Sequence, residues 1–258
     1  MLNYVKIPRS IIYDKELTDK RAIIFSYLCA RRSLDDTVAF STTELCNWSK
    51  MKPNYRDGKI NQKYYETLLL LSHYGYFNEY PDFESFLKEN TNSEKYRIIK
   101  LNIEKFDILD SFALIYFYEL EKIINFKSEL FDTDIDTQRI SSAYILLVLA
   151  YIRVNLNRNE EKPLCCYRNL KTIADDIGLS ERYISRVIDI LDRLDIIKFQ
   201  KMKRLRFKDG DIYKFKTTPT IFADYIKYKK DNFGEISIDD SYDYQSEIEK
   251  QINLLQSS

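Results

Sequence analysis

The sequence predicts a mainly α fold with small β-hairpins, an α+β class, and two observations carry that expectation. The first is the stretch 170–200, LKTIADDIGLSERYISRVIDILDRLDIIKFQ, which reads as two short helices, a tight turn and the start of a strand. The second is a charged hairpin directly after it. Two helices joined by a turn of three or four residues form a helix-turn-helix, whose second helix can enter a major groove. With the hairpin behind it, this is a winged helix. The order of elements recurs in the first half of the chain, so the fold expected is two tandem winged-helix (helix-turn-helix) domains. They are placed at 1–103 and 139–230, with an apolar connector at 104–138 and an acidic tail at 231–258 that is expected to be mobile.

Each element of the second domain has a local reason. Leu170, Ile173, Ala174 and Ile177 recur at three- and four-residue spacing, which gives one apolar helical face. Gly178 stands where a positive φ is wanted at a helix end, and Ser180 where an N-cap acceptor belongs. The next helix places Ile184, Val187, Ile188, Leu191 and Leu194 on its buried side, and Arg182, Ser185, Arg186, Asp189 and Arg193 on the other. Arg and Ser near the start of such a helix suit base edges and phosphates, so Ser180, Arg182, Tyr183, Ser185 and Arg186 are candidate DNA contacts. The hairpin carries Lys198, Lys201, Lys203, Arg204, Arg206 and Lys208 before an Asp209-Gly210 turn, then returns as DIYKFK. A basic wing of this kind neutralises phosphates beside the groove.

Charge is segregated although the total is balanced. The chain has 40 Lys and Arg against 40 Asp and Glu, a net charge of zero. Residues 198–230 nevertheless hold nine Lys and two Arg against Asp209, Asp211 and Asp224, about +8, whereas 231–258 is acidic, about −6.

In the first half, 4–13 (YVKIPRSIIY) reads as an extended lead-in, with Pro8 discouraging helix. Thr18 caps a helix to about Arg32, residues 37–40 form a strand, and Ser41 caps a helix from Thr42 to Ser49. A basic loop follows, with Lys50, Lys52, Arg56 and Lys59; with Lys63 at the start of the next helix, these are further candidate DNA contacts. That third helix turns Ile60, Tyr64, Leu68 and Leu71 to one side and ends at Gly75. Two strands, at 76–80 and 96–101, then flank an acidic connection. Leu69 and Leu70 lie off the main apolar side, and Asp82, Glu84, Glu89 and Glu94 in the wing repel phosphate, so packing or dimerisation competes with DNA contact for this domain. In the connector, Phe112 to Tyr118 (FALIYFY) fits a buried strand or a buried helix, and 119–126 reads as helix.

Several classes of chemistry are not expected. There is no G-x-x-x-x-G-K-[ST], G-x-G-x-x-G or G-x-S-x-G, and with 5 glycines a phosphate-cradling loop has little material. One histidine, His73, supplies neither a Ser/His/Asp set nor the histidine pair of a rolling-circle nickase. Cys29, Cys46, Cys165 and Cys166 form no CxxC pair, so no metal, cofactor or enzymatic activity is assigned, and free thiols fit a reducing cytoplasm. The apolar run at 143–152 is about half the length of a membrane span, so a core helix is expected there and no membrane partner. The segment MLNYVKIPRS has no apolar h-region, so no signal peptide is expected.

The lead-in YVKIPRSIIYDKELTDKRAIIFSYL, followed by FSTTEL, resembles winged-helix replication initiators and replisome organisers of plasmids, phages and integrative elements of low-GC Gram-positive bacteria. The segment LKTIADDIGLSERYISRVIDILDRLDII is similar to their helix-turn-helix and to that of many bacterial regulators. The resemblance covers roughly 1–80 and 140–220. It implies binding to repeated sequences at an origin and recruitment of host replication proteins, while the apolar connector is expected to fix the two domains against each other or against the second protomer of a homodimer. The expectation is therefore a sequence-specific double-stranded-DNA-binding protein that initiates or organises replication. The alternatives are a transcriptional regulator on an operator and a winged-helix protein–protein assembly module.

Overall fold

A computed structural model describes residues 4–50, 60–78, 96–106, 111–126, 140–156, 165–208, 211–222, 228–230 and 236–238. The fold is mixed α and β, with helices and small antiparallel sheets. It divides into two compact units, Tyr4–Ala150 and a second from Tyr151 onward.

The first part of the chain runs β1 (Tyr4–Pro8), α1 (Arg9–Tyr13), α2 (Arg21–Arg31), β2 (Thr37–Phe40), α3 (Thr42–Trp48), α4 (Ile60–His73), β3 (Phe77–Asn78), β4 (Arg97–Leu101), α5 (Ile103–Phe106), β5 (Phe112–Tyr116), α6 (Phe117–Ile124) and α7 (Ser142–Val154). The second continues with β6 (Cys165–Cys166), α8 (Leu170–Ile177), α9 (Glu181–Arg193), β7 (Lys198–Lys208), β8 (Asp211–Phe222), β9 (Tyr228–Lys230) and β10 (Ile236–Ile238). The division between the units falls inside α7, whose residues Ile145 to Ile152 are all fully buried.

α2 is the centre of the first unit. The apolar residues Ile23, Ile24, Tyr27 and Leu28 are buried as their spacing predicts, but so are Arg21, Ala22, Phe25 and Ser26. A helix enclosed on every side must satisfy its polar groups internally. Arg21 does so with backbone carbonyls: Nε and Nη2 donate to Ile12 O at 3.1 and 2.9 Å, and Nη1 to Leu17 O and Thr18 O at 3.3 and 3.1 Å. Burial pushes its guanidinium down to about 10. On another side, Phe25 stacks on Phe106 at 4.6 Å, and Tyr76 stands edge-on to both.

Two local expectations are corrected here. The lead-in is not extended throughout: β1 ends at Pro8, and the helix α1 follows with Pro8 as its N-cap, at φ −61° and ψ 147°. A proline is excluded from a helix interior but not from its entry, where its fixed φ and missing N–H do no harm. Thr18 is not the N-cap of α2 either; that place is Lys20. The Thr18 hydroxyl instead accepts from the Lys20 N–H at 3.2 Å and lies 2.6 Å from the Thr67 hydroxyl. By contrast Ser41 caps α3, accepting from the Glu44 N–H at 3.0 Å.

The segment 104–138 contributes structure to the first unit. β5 pairs antiparallel with β1, from Tyr4↔Tyr116 to Pro8↔Phe112, and buries Ala113 and Ile115. FALIYFY is thus a strand running into a helix. At the tail, Ile236–Ile238 pairs antiparallel with Tyr228–Lys230, so strand pairing joins the two sides of the boundary expected at 230. The remainder of the tail lies outside the described residues.

The two halves share a topology. In the first, α2, β2, α3, α4, β3 and β4 follow in order, and the sheet is ordered β2-β4-β3. In the second, α7, β6, α8, α9, β7 and β8 follow in order, and the sheet is ordered β6-β8-β7. Each is a short strand before two helices, added to the returning strand of the hairpin behind them.

Candidate nucleic-acid interface

The site grows from the junction of α8 and α9. Asn169 caps α8, its side chain accepting from the Thr172 N–H at 2.7 Å. Gly178 ends it at φ 74°, and the N–H groups of Gly178 and Leu179 return to Ala174 O at 3.0 and 3.1 Å. No atom lies within 4 Å of where a Cβ would stand on Gly178, so glycine serves the backbone conformation alone. Ser180 is then the N-cap of α9 at φ −78° and ψ 146°, but its side chain makes no capping bond. The capping role expected of it is corrected; the exposed hydroxyl remains at the helix entrance.

α9 is sharply two-faced. Ile184, Val187, Ile188 and Leu191 are buried as expected, with Ile190 in addition, and α8 packs on the helix with Ile173, Ala174 and Ile177 buried. Leu194 is half-buried. Arg182, Ser185, Asp189 and Arg193 recur at three- and four-residue steps and are exposed, with Tyr183 and Arg186 half-buried beside them. The outward stripe therefore carries guanidinium donors, a hydroxyl and one carboxylate, the groups that match base edges.

β7 and β8 form a long ribbon behind this helix. Eleven residues of β7 span roughly 35 Å at strand rise. Lys201, Lys203, Arg204, Arg206 and Lys208 all lie on β7, and a register shift occurs between Arg206 and Phe207. Register also brings in two cations of the returning strand: Lys216 stands opposite Arg204, and Lys214 opposite Arg206. Their signal lay in the pairing, which a strand read alone does not give.

Lys198, at the base of the ribbon, is engaged. Its Nζ lies 2.9 Å from Asp195 Oδ1 and 3.7 Å from Asp192 Oδ1. Partial burial disfavours its charge, but the two carboxylates outweigh this and raise its pKa.

The candidates in the first unit divide. Lys52, Arg56 and Lys59 lie outside the described residues. Lys50 is exposed, with φ 55°. Lys63 is drawn into a polar cluster: its Nζ is 2.9 Å from Asp19 Oδ1, while Lys20 Nζ is 3.2 Å from Asp19 Oδ2. Around it α4 exposes Gln62, Glu66 and His73 and half-exposes Leu69 and Leu70. This surface lacks the basic stripe of α9.

Other chemistry is sparse. Burial pushes the Cys46 thiol up to about 11 and raises that of Cys166 as well, so neither is a ready thiolate. Among the described residues, no group of three His, Cys, Asp or Glu side chains is placed to hold a metal ion, and no helix is long and apolar enough to cross a membrane. No protein family, curated protein or solved structure matches this chain.

Proposed function

We propose that the chain is a sequence-specific double-stranded-DNA-binding protein of two tandem winged-helix domains, which initiates or organises replication of a plasmid, phage or integrative element. The observation that carries DNA binding is the outward stripe of α9, with Arg182, Ser185 and Arg186 on a helix held by its opposite face. α9 enters the major groove, Arg182 and Arg186 read base edges, and the basic ribbon follows the phosphate backbone. The tandem reading is supported by the two sheets of order first strand, last strand, middle strand, each with a helix pair between its first two strands along the chain. Replication rather than transcription is supported by the resemblance of the lead-in and of the helix-turn-helix to replication initiators. The first unit serves assembly, because Lys63 is paired and α4 exposes Glu66 and half-exposes Leu69 and Leu70.

Two measurements test the reading. Footprinting on the DNA flanking the gene should protect a repeated site, and the Arg182→Ala/Arg186→Ala double variant should lose that protection. A minimal plasmid bearing the gene and its flanks should replicate autonomously. Protection of a promoter without replication would assign an operator-binding regulator; no protection at all would leave only the assembly role.

A further inference from the structure

The ribbon carries an arrangement that strand pairing alone disfavours. β6 joins β8 only at Cys165↔Phe222 and Cys166↔Ile221, so from Lys201↔Pro219 outward the ladder has two strands among the described residues. A two-stranded hairpin by itself is marginally stable in water. Arg204 stands directly opposite Lys216, and Arg206 opposite Lys214. Like charges in directly opposed positions weaken a ladder. Residues two apart on a strand share a face, so these four occupy one face of the ribbon, at spacings of about 5 and 7 Å. The register partners of Lys201 to Arg206 are Pro219, Thr218, Thr217, Lys216, Phe215 and Lys214, and none is acidic. The contrast is at the end of the ladder, where Lys208 opposes Asp211, a complementary pair.

We propose that Arg204, Arg206, Lys214 and Lys216 form a phosphate-binding site for the backbone of double-stranded DNA, and that filling this site completes the pairing of β7 with β8. It rests on the double-stranded-DNA reading above and adds a site and a linkage to it. A duplex presents one negative charge per roughly 1.7 Å of its axis, so several phosphates meet a patch of this size. Whatever binds the paired ribbon and not the open one stabilises pairing by mass action. Ribbon order and duplex binding are then two sides of one equilibrium, and the site takes duplex of any sequence.

The test is amide hydrogen exchange on the full chain, with and without a short random-sequence duplex at low salt. With duplex at a hundredfold excess over its dissociation constant, exchange across 201–206 and 214–219 should slow by up to about 100-fold. The Lys214→Glu/Lys216→Glu variant places a carboxylate opposite each arginine. Its ribbon should exchange more slowly than wild type without DNA, gain nothing from duplex, and lose about two or more units of salt slope. Faster exchange in the variant without DNA, or an unchanged salt slope, would overturn the proposal. Wild type that binds its specific site without slowing of the ribbon amides refutes the linkage and leaves the DNA reading intact. Wild type that binds no duplex overturns both.

Discussion

The backbone N–H of Ile196 donates to the carbonyl of Leu191 at 3.0 Å and closes the end of α9, and Tyr76 donates to Leu71 at 3.0 Å in the same way at the end of α4. Inside each closure one residue is left-handed: Gly75 at φ 75° and Asp195 at φ 52°. A helix ends with carbonyls that lack partners, and a chain that turns back through a left-handed residue supplies one. The segments LSHYGYF and LDRLDII share little beyond the first leucine, so the repetition here is one of hydrogen bonds.

The cap gives opposite predictions for the two ends. A left-handed conformation costs a non-glycine residue about 1–2 kcal/mol, partly offset by the greater freedom glycine loses on folding. Asp195→Gly should therefore raise the stability of the second unit by about 0.5–1 kcal/mol, less a few tenths for the lost surface pair with Lys198. Gly75→Ala should lower that of the first unit by about 1 kcal/mol, because nothing crowds a Cβ there and only the backbone resists. Urea denaturation of each variant measures this; a destabilised Asp195→Gly would refute the cap argument.

Tyr151 is fully buried on α7 and donates its hydroxyl to Asp176 Oδ2 at 2.6 Å. Its removal deprives a carboxylate of a charge-assisted bond inside the second unit, where such bonds contribute about 1.5–3 kcal/mol. Tyr151→Phe keeps the ring and removes only that donor. It should lower the urea midpoint with an unchanged slope, while Asp175→Asn, at an exposed position one residue from Asp176, should leave the midpoint within error.

What the sequence made legible follows from the range of each interaction. Helix periodicity placed the buried faces of α8 and α9, and local chemistry placed Gly178, the Ser41 cap and the strand at 37–40. Pairing between distant segments was not legible. FALIYFY was ambiguous by period alone, and only its register with Tyr4–Pro8 decides that it begins as a strand. Lys214 and Lys216 went unmarked because a cation on a strand acquires meaning from what stands across the ladder. Lys63, at the start of the helix after the basic loop, reads as a DNA contact because Asp19, 44 residues away, is not visible as its partner in the sequence.

Asp19 gives a prediction in pH. Burial pushes its carboxyl pKa up, but Lys20 and Lys63 outweigh burial and hold it below the ordinary 3.8. A carboxylate with a lowered folded pKa contributes stability that is complete above the unfolded value and is lost as pH falls through the folded one. Asp19→Asn also leaves Lys20 buried without its countercharge, for a loss of about 3–5 kcal/mol at neutral pH. The gap between wild type and variant should therefore stay constant above about pH 5 and narrow progressively as pH falls below 3.8. Chemical denaturation across acidic pH measures it; a gap undiminished between neutral pH and about pH 2 would place the charge of Asp19 outside the stability of the unit.

The same pairing logic ranks the cations at the proposed interface. A cation already held by carboxylates neutralises less phosphate charge and so releases fewer of the counterions condensed on DNA, so its removal changes affinity and salt slope less. Lys198 lies between Asp195 and Asp192, Lys63 lies on Asp19, and Arg182 is exposed on α9. An arginine reading guanine contributes about 1–3 kcal/mol of discrimination, so Arg182→Ala should weaken specific binding about tenfold or more and flatten preference among sites. Removal of a ribbon cation such as Lys203 should weaken specific and random DNA alike and reduce the salt slope by about one unit. Lys198→Ala should change the slope by clearly less than one, and Lys63→Ala should lower thermal stability while DNA affinity holds. Asp195→Gly releases Lys198 and should strengthen binding to random duplex at low salt. Equal losses of affinity for Arg182→Ala, Lys198→Ala and Lys63→Ala, measured by titration at two salt concentrations, would show that total charge rather than the placement of these side chains governs binding.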